Sequence, residues 1–120
     1  MEMVSMIFKR GDLHLAKLYP QTGNEVGKTR PVLIYQTDLL NHVPHSTIII
    51  IPLSTRLIEG AYPLRYRVSQ RENLKQTSDL LCDQLRSIDP QRLTPNKIGS
   101  LSMFELLELD HQVKIILDLE

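Results

Sequence analysis

A mainly β domain finished by a C-terminal helix is predicted by three features of the chain. Two apolar, β-branched runs, PVLIYQT from Pro31 and TIIIIPLS from Thr47, are set apart by polar connections, and a glycine-rich loop precedes the first. In LRYRVS, Leu64, Tyr66 and Val68 alternate with Arg65, Arg67 and Ser69, the period of a strand with one buried face. Near the end the period lengthens: Met103, Leu106, Leu109, Val113 and Ile116 recur at helical steps behind Ser102 and Glu105, which fit a capping box. Short strands followed by one helix imply a small, largely antiparallel sheet or partly closed barrel with the helix packed on it. With 120 residues, 42% of them hydrophobic, the chain is read as one domain over residues 1–120, large enough to remove roughly two thirds of its unfolded surface from water.

The elements follow in order. Gly11 and Asp12 introduce LHLAKLY, a strand with one buried face that Pro20 ends. The loop from Gln21 to Thr29 carries Gly23 and Gly27, which open backbone conformations closed to other residues and suit a lid over whatever binds there. Pro31 lacks an amide hydrogen and is expected at the first position of the next strand, which continues through Val32 to Tyr35. Asn41, His42, Pro44 and His45 mark a surface loop. Ile48 to Ile51 leave no polar face, so their strand is expected to be central or covered on both sides, and a second copy of the chain is one way to cover it. After the Gly60 to Pro63 turn and LRYRVS, Gln70 to Thr77 read as a polar loop and DLLCDQLRSID as one further strand.

Acidic and basic residues number 14 each, so no bulk basic footprint announces nucleic acid. A polyanion would have to meet a local cluster, and Lys28 to Arg30, Arg65 to Arg71 and Arg86 to Arg92 are the stretches that offer one. The single cysteine, Cys82, rules out an internal disulfide and a cysteine zinc cluster, and in its apolar run it reads as a small buried hydrophobe. The N-terminal stretch is too short and too little apolar for a secretory signal, and nothing approaches a membrane span, so a cytoplasmic location is expected.

Histidines 14, 42, 45 and 111 are scattered without metal-ligand spacing, and neither a metal nor another cofactor is expected. GNEVGKT has one residue too few between its glycines for a P-loop, and a β-branched run follows where that motif needs a helix. Ser54 lacks the GxSxG elbow of a serine hydrolase. What remains is Arg30 at the threshold of one apolar run and Ser54 at the close of the next, which antiparallel pairing brings to one sheet rim. Glu25, Lys28 and Thr29 lie just before the arginine and Thr55 just after the serine. A guanidinium's planar fork matches phosphate oxygens, so this rim suits a phosphodiester better than an acyl group. RNA carries its own nucleophile, the 2′-hydroxyl, so its cleavage needs orientation, proton transfer and charge stabilisation, and no metal-bound water. Arg30 would neutralise the phosphoryl oxygens, Ser54 would donate to the same group, and the products would be a 2′,3′-cyclic phosphate and a 5′-hydroxyl. Arginine is a poor general base, which leaves Glu25 or Asp83. Structural uses exist too: Arg30 in a surface ion pair, Ser54 satisfying a backbone group at a strand end.

RGDLHLAKLYPQTGNEVGKTRPVLI, TIIIIPLST and LLCDQLRSIDPQRLTPNKIGSLSMFELLELDHQVKIIL, in that order over nearly the whole chain, closely resemble the MazF/PemK-type toxins of bacterial toxin-antitoxin modules. The resemblance implies an SH3-like barrel in a homodimer with a groove at the interface, cleaving single-stranded RNA at specific sequences and held in check by a cognate antitoxin whose flexible acidic segment occupies the RNA's place. It places the catalytic pair on Arg30 and Ser54, serine standing where many relatives have threonine. DQLRS matches a family pattern that puts Asp83, Gln84 and Arg86 near the groove. In one branch an aspartate at the position of Asp83 joins catalysis, but the arginine accompanying it there is Leu81 here, which weakens that transfer. Residues 21 to 29 and 56 to 62 are expected to read unstacked bases. The rival reading is a noncatalytic barrel that binds RNA or a protein such as gyrase, which would not need the Arg30 and Ser54 pair.

Overall fold

The computed structural model describes residues 7–18 and 29–119. Seven strands and two helices follow one another as β1 (Asp12–Lys17), β2 (Thr29–Ile34), α1 (Asp38–Asn41), β3 (Ile48–Ser54), β4 (Arg65–Val68), β5 (Ser78–Leu81), β6 (Arg86–Ile88), β7 (Gly99–Ser100) and α2 (Met103–Leu117). The strands form one antiparallel sheet in the order β4-β5-β3-β2-β1-β7, with β6 also on β3. This is the predicted class, a small mainly β barrel of the SH3-like kind with a C-terminal helix.

The isoleucine strand is central, as its composition requires. Ile48 and Ile50 join Ala16, Val32, Ile34, Ile88 and Leu93 in one apolar cluster. Ile51 and Leu53 join Leu13, Leu33 and Leu80 in a second, which Leu106, Leu109 and Val113 of α2 complete. Both faces of β3 are thus covered within one chain, by the rest of the sheet and α2 and not by a second copy.

Pro52 sits in this central strand without breaking it, because β5 pairs with Leu53 and Ser54 while β6 pairs with Ile48 to Ile50. Between those ladders the neighbouring chain leaves the sheet as a 3-10 turn, Cys82–Gln84, so the proline faces no strand partner on that side. The same turn corrects the expectation of one continuous strand through DLLCDQLRSID. Pro31 is likewise the third residue of β2 and not its first. It pairs with Leu15 of β1, and the ladder to β3 begins one residue later, at Val32. Two short elements were not anticipated. The single turn of α1 is capped by Thr37, whose Oγ1 accepts from Leu39 N–H at 3.2 Å, and the two residues of β7 pair with Asp12 and Leu13.

The helix begins where its cap predicts. Ser102 Oγ accepts from Glu105 N–H at 3.1 Å, and Glu105 Oε1 accepts from Ser102 N–H at 2.8 Å. Arg71 then grips both oxygens of Glu105, at 2.6 and 2.8 Å, tying the helix start to the chain after β4. Gly11 precedes β1 with φ +98°, a conformation that favours glycine, and a Cβ there would stand 3.0 Å from Leu106 Cδ1, so that leucine would have to shift. Among the described residues no helix is long and apolar enough to cross a membrane.

Candidate active site at the sheet rim

Two short rows of paired residues come to this rim. Arg67 of β4 pairs with Asp79 of β5, and Asp79 with Ser54 of β3. Arg30 of β2 pairs with Ala16 of β1. The β2–β3 ladder ends at Val32 with Pro52, and Arg30 and Ser54 each lie two residues beyond that pair, at the same end of the two strands.

Arg30 is exposed, and among the described residues no carboxylate comes within ion-pair distance of it. Ser54 is half-buried, and its Oγ accepts from Arg56 N–H at 3.1 Å. That is the backbone role anticipated for it, yet it uses a lone pair and leaves the hydroxyl proton to donate. Thr55 follows one residue past the end of β3. A cavity of about 200 Å³ is lined by Thr29, Arg30, Pro31, Leu53, Thr55 and Ser78. Arg30 shares that cavity with Thr55, and Ser54, the residue between Leu53 and Thr55, is not part of its lining.

Sequence reasoning missed Asp79, whose side chain is only 1% exposed. Arg67 Nε donates to its Oδ1 at 2.9 Å, and Oδ2 accepts from Ile58 N–H at 3.1 Å and Arg65 at 3.3 Å. Burial alone would raise this carboxyl, but the bonds from Arg67, Ile58 N–H and Arg65 outweigh it and hold it below the usual carboxylate range. The cluster also fastens the β3–β4 connection: Arg65 donates to the Arg56 carbonyl at 2.9 Å, and Arg67 to Glu59 at 2.6 Å. Residues 56 to 59, expected to read bases, are thereby held beside Ser54. The signal for this was present in the two arginines alternating on one strand and an acid two residues into the next hairpin arm.

The same contacts correct the expected basic stretch from Arg65 to Arg71. Arg65 and Arg67 are committed to Asp79, and Arg71 to Glu105. Their charge is neutralised inside the molecule.

Asp83 and Gln84 lie on the exposed 3-10 turn after β5, and Arg86 opens β6 opposite Ile50, four residues back along β3 from Ser54. None of the three lines the cavity around Arg30. Glu25 and Lys28 lie outside the described residues, as does most of the loop expected to act as a lid. Cys82 is buried as anticipated, and burial pushes its thiol up to about 12, away from nucleophilic use.

Comparison with known proteins places this rim in context. A family model described as "PemK-like, MazF-like toxin of type II toxin-antitoxin system" matches residues 9–117. Endoribonuclease EndoA of Bacillus subtilis (strain 168) is 35% identical over 115 residues, covering 95% of this chain and 97% of that one. Among solved structures, the Mycobacterium tuberculosis toxin MazF-mt6 superposes with a TM-score of 0.71 at 24% identity, over 91% of this chain and 98% of its own. A MazE-MazF structure from Deinococcus radiodurans gives 0.75 at 22% identity, over 95% and 98%.

Proposed function

The chain belongs to the PemK-like, MazF-like toxins of type II toxin-antitoxin systems, and on that premise we propose that it is an endoribonuclease cutting single-stranded RNA without a metal ion. What supports the chemistry is that exposed Arg30 and half-buried Ser54 both lie at the same end of β2 and β3, each two residues beyond the Val32 and Pro52 pair. The ribose 2′-oxygen bonds to phosphorus, the bond to the 5′-oxygen breaks, and the products are a 2′,3′-cyclic phosphate and a 5′-hydroxyl. Charge accumulates on the nonbridging oxygens as the fifth bond forms. Arg30 meets that charge with a fixed cation, and the Ser54 hydroxyl donates to the same oxygens. The 2′-proton passes to a carboxylate, Glu25 or Asp83, and a proton returns to the leaving 5′-oxygen.

Thr29 and Thr55 flank the pair and hold the adjoining ribose and phosphate, with Lys28, Gln84 and Arg86 along the path of the strand. Loops 21 to 29 and 56 to 62 choose the target sequence. A cognate antitoxin silences the enzyme by laying a flexible acidic segment where RNA would lie, and the active form is a homodimer.

The test is incubation of the purified protein with a long RNA in EDTA, followed by analysis of the new ends. Cleavage leaving 5′-hydroxyl ends is expected. Arg30→Ala and Ser54→Ala should each lower the rate about 100-fold or more, the cost of removing one oxyanion donor. RNA left intact by the wild type, or cut equally well by Arg30→Ala, refutes the mechanism and leaves a binding module. Comparing pH profiles of Glu25→Gln and Asp83→Asn assigns the proton acceptor, since its removal abolishes the acid limb.

A further inference from the structure

A second cavity, of about 270 Å³, lies beside the one that Arg30 lines, and Pro31, Thr55 and Ser78 belong to both. Its remaining wall comes from Leu15, Leu74 and Ile98 and from the β4–β5 connection at Asn73, Lys75 and Gln76. We propose that this cavity is a base-binding subsite, which receives one nucleobase adjoining the scissile phosphate and reads its edge with the amides of Asn73 and Gln76. The inference rests on the endoribonuclease reading and deepens it.

Three observations carry it. The size falls just below the roughly 300 Å³ at which drug-sized pockets begin, so it admits one planar ring and not two stacked nucleotides. The lining combines aliphatic residues, Leu15, Pro31, Leu74 and Ile98, with the polar side chains of Asn73 and Gln76, the two kinds of surface a base presents in its faces and its edge. Each amide offers a donor and an acceptor together, the combination that pairs with a base edge in two places at once. Among the described residues neither side-chain amide is engaged in another hydrogen bond, while Lys75 adds a cation for a neighbouring phosphate. The connection is also anchored: Asn73 N–H donates to the Ile98 carbonyl at 2.8 Å, and Arg71 and Leu74 bridge one another, so the amides are presented from a fixed backbone.

Asn73→Ala, Gln76→Ala and the double variant change exposed side chains, and matching melting curves will show that each folds. The experiment maps every cleavage in a long RNA for wild type and variants. The expected result is a relaxed preference at one position next to the cut, by about 5- to 150-fold in relative rate, with cleavage at preferred sites slowed. A parallel titration uses a fluorescent oligonucleotide with a 2′-deoxy residue at the cut site. The double variant should bind its preferred sequence more weakly and a mismatched one unchanged. An identical cleavage map in the double variant overturns the subsite while leaving the endoribonuclease standing. Intact RNA with wild-type protein overturns both.

Discussion

Asp79 decides which arginines an anion can use. It holds Arg65 and Arg67 against a carboxylate that is 1% exposed, whereas exposed Arg30 makes no ion pair with a described residue. Asp79→Asn removes the carboxylate that Arg65 and Arg67 share, leaving Arg67 only its exposed partner Glu59, and should lower the urea midpoint. Acid should have the same effect. Asp79 and Glu105 are both held below their ordinary values of 3.8 and 4.5. Their full stabilisation is present above those values, and as pH falls below about 4.5 the unfolded chain takes up protons first. His14 opens a separate window at higher pH. It is wholly buried, its Nδ1 donates to the Thr94 carbonyl at 2.8 Å, and burial lowers its pKa below 6.5 despite that bond. From about pH 6.5 downward the unfolded state binds the extra proton, so stability already declines there. Urea midpoints measured from pH 8 to 3 should show two descents, with His14→Phe flattening the upper one and Asp79→Asn the lower.

The cap of α2 gives the cleanest test at the level of an element. Ser102→Ala removes one of two reciprocal bonds and should cost about 1 kcal/mol. Glu105→Ala removes the other bond and the two-pronged contact with Arg71 as well, so its denaturation midpoint should fall further than that of Ser102→Ala. This cap was readable in advance because both partners lie three residues apart and the signal is local. The strands from β1 to β4 were readable for a similar reason, through period and punctuation. The break between β5 and β6 was not, since DLLCDQLRSID is apolar enough to continue as a strand and the cause lies elsewhere. It is β3 that changes partner at Pro52 and α2 that packs on the resulting turn. Elements as short as α1 and β7 carry too few residues to establish any period.

At the scale of the molecule, the placement of Arg30 and Ser54 at the same end of β2 and β3 was legible because antiparallel strands must return to the same rim. Which arginines are neutralised was not, because that depends on register between β4 and β5 and on how the 56 to 59 segment folds back. The proposed homodimer would not be built on β3, because β3 is covered within its own chain. The exposed side of α2 supplies a surface for it. Phe104, Leu107 and Ile115 recur along the helix opposite its buried Leu106, Leu109 and Val113, and the first two are 68% and 61% exposed. Tyr62 and Tyr66 join Leu107 at a shared hollow, and exposed Leu64 lies in the same connection as Tyr62. The apolar area of this side gains from leaving water whenever a self-complementary copy of the same side docks on it. Light scattering should therefore report about twice 13.8 kDa at micromolar concentration. Leu107→Glu buries a charge in that interface and should shift the mass to the single chain while leaving the melting transition of the protomer intact, because the side chain lies outside the core. A dimer that survives both Leu107→Glu and Phe104→Glu places the interface elsewhere, and a wild type that stays at 13.8 kDa across that range removes the homodimer altogether.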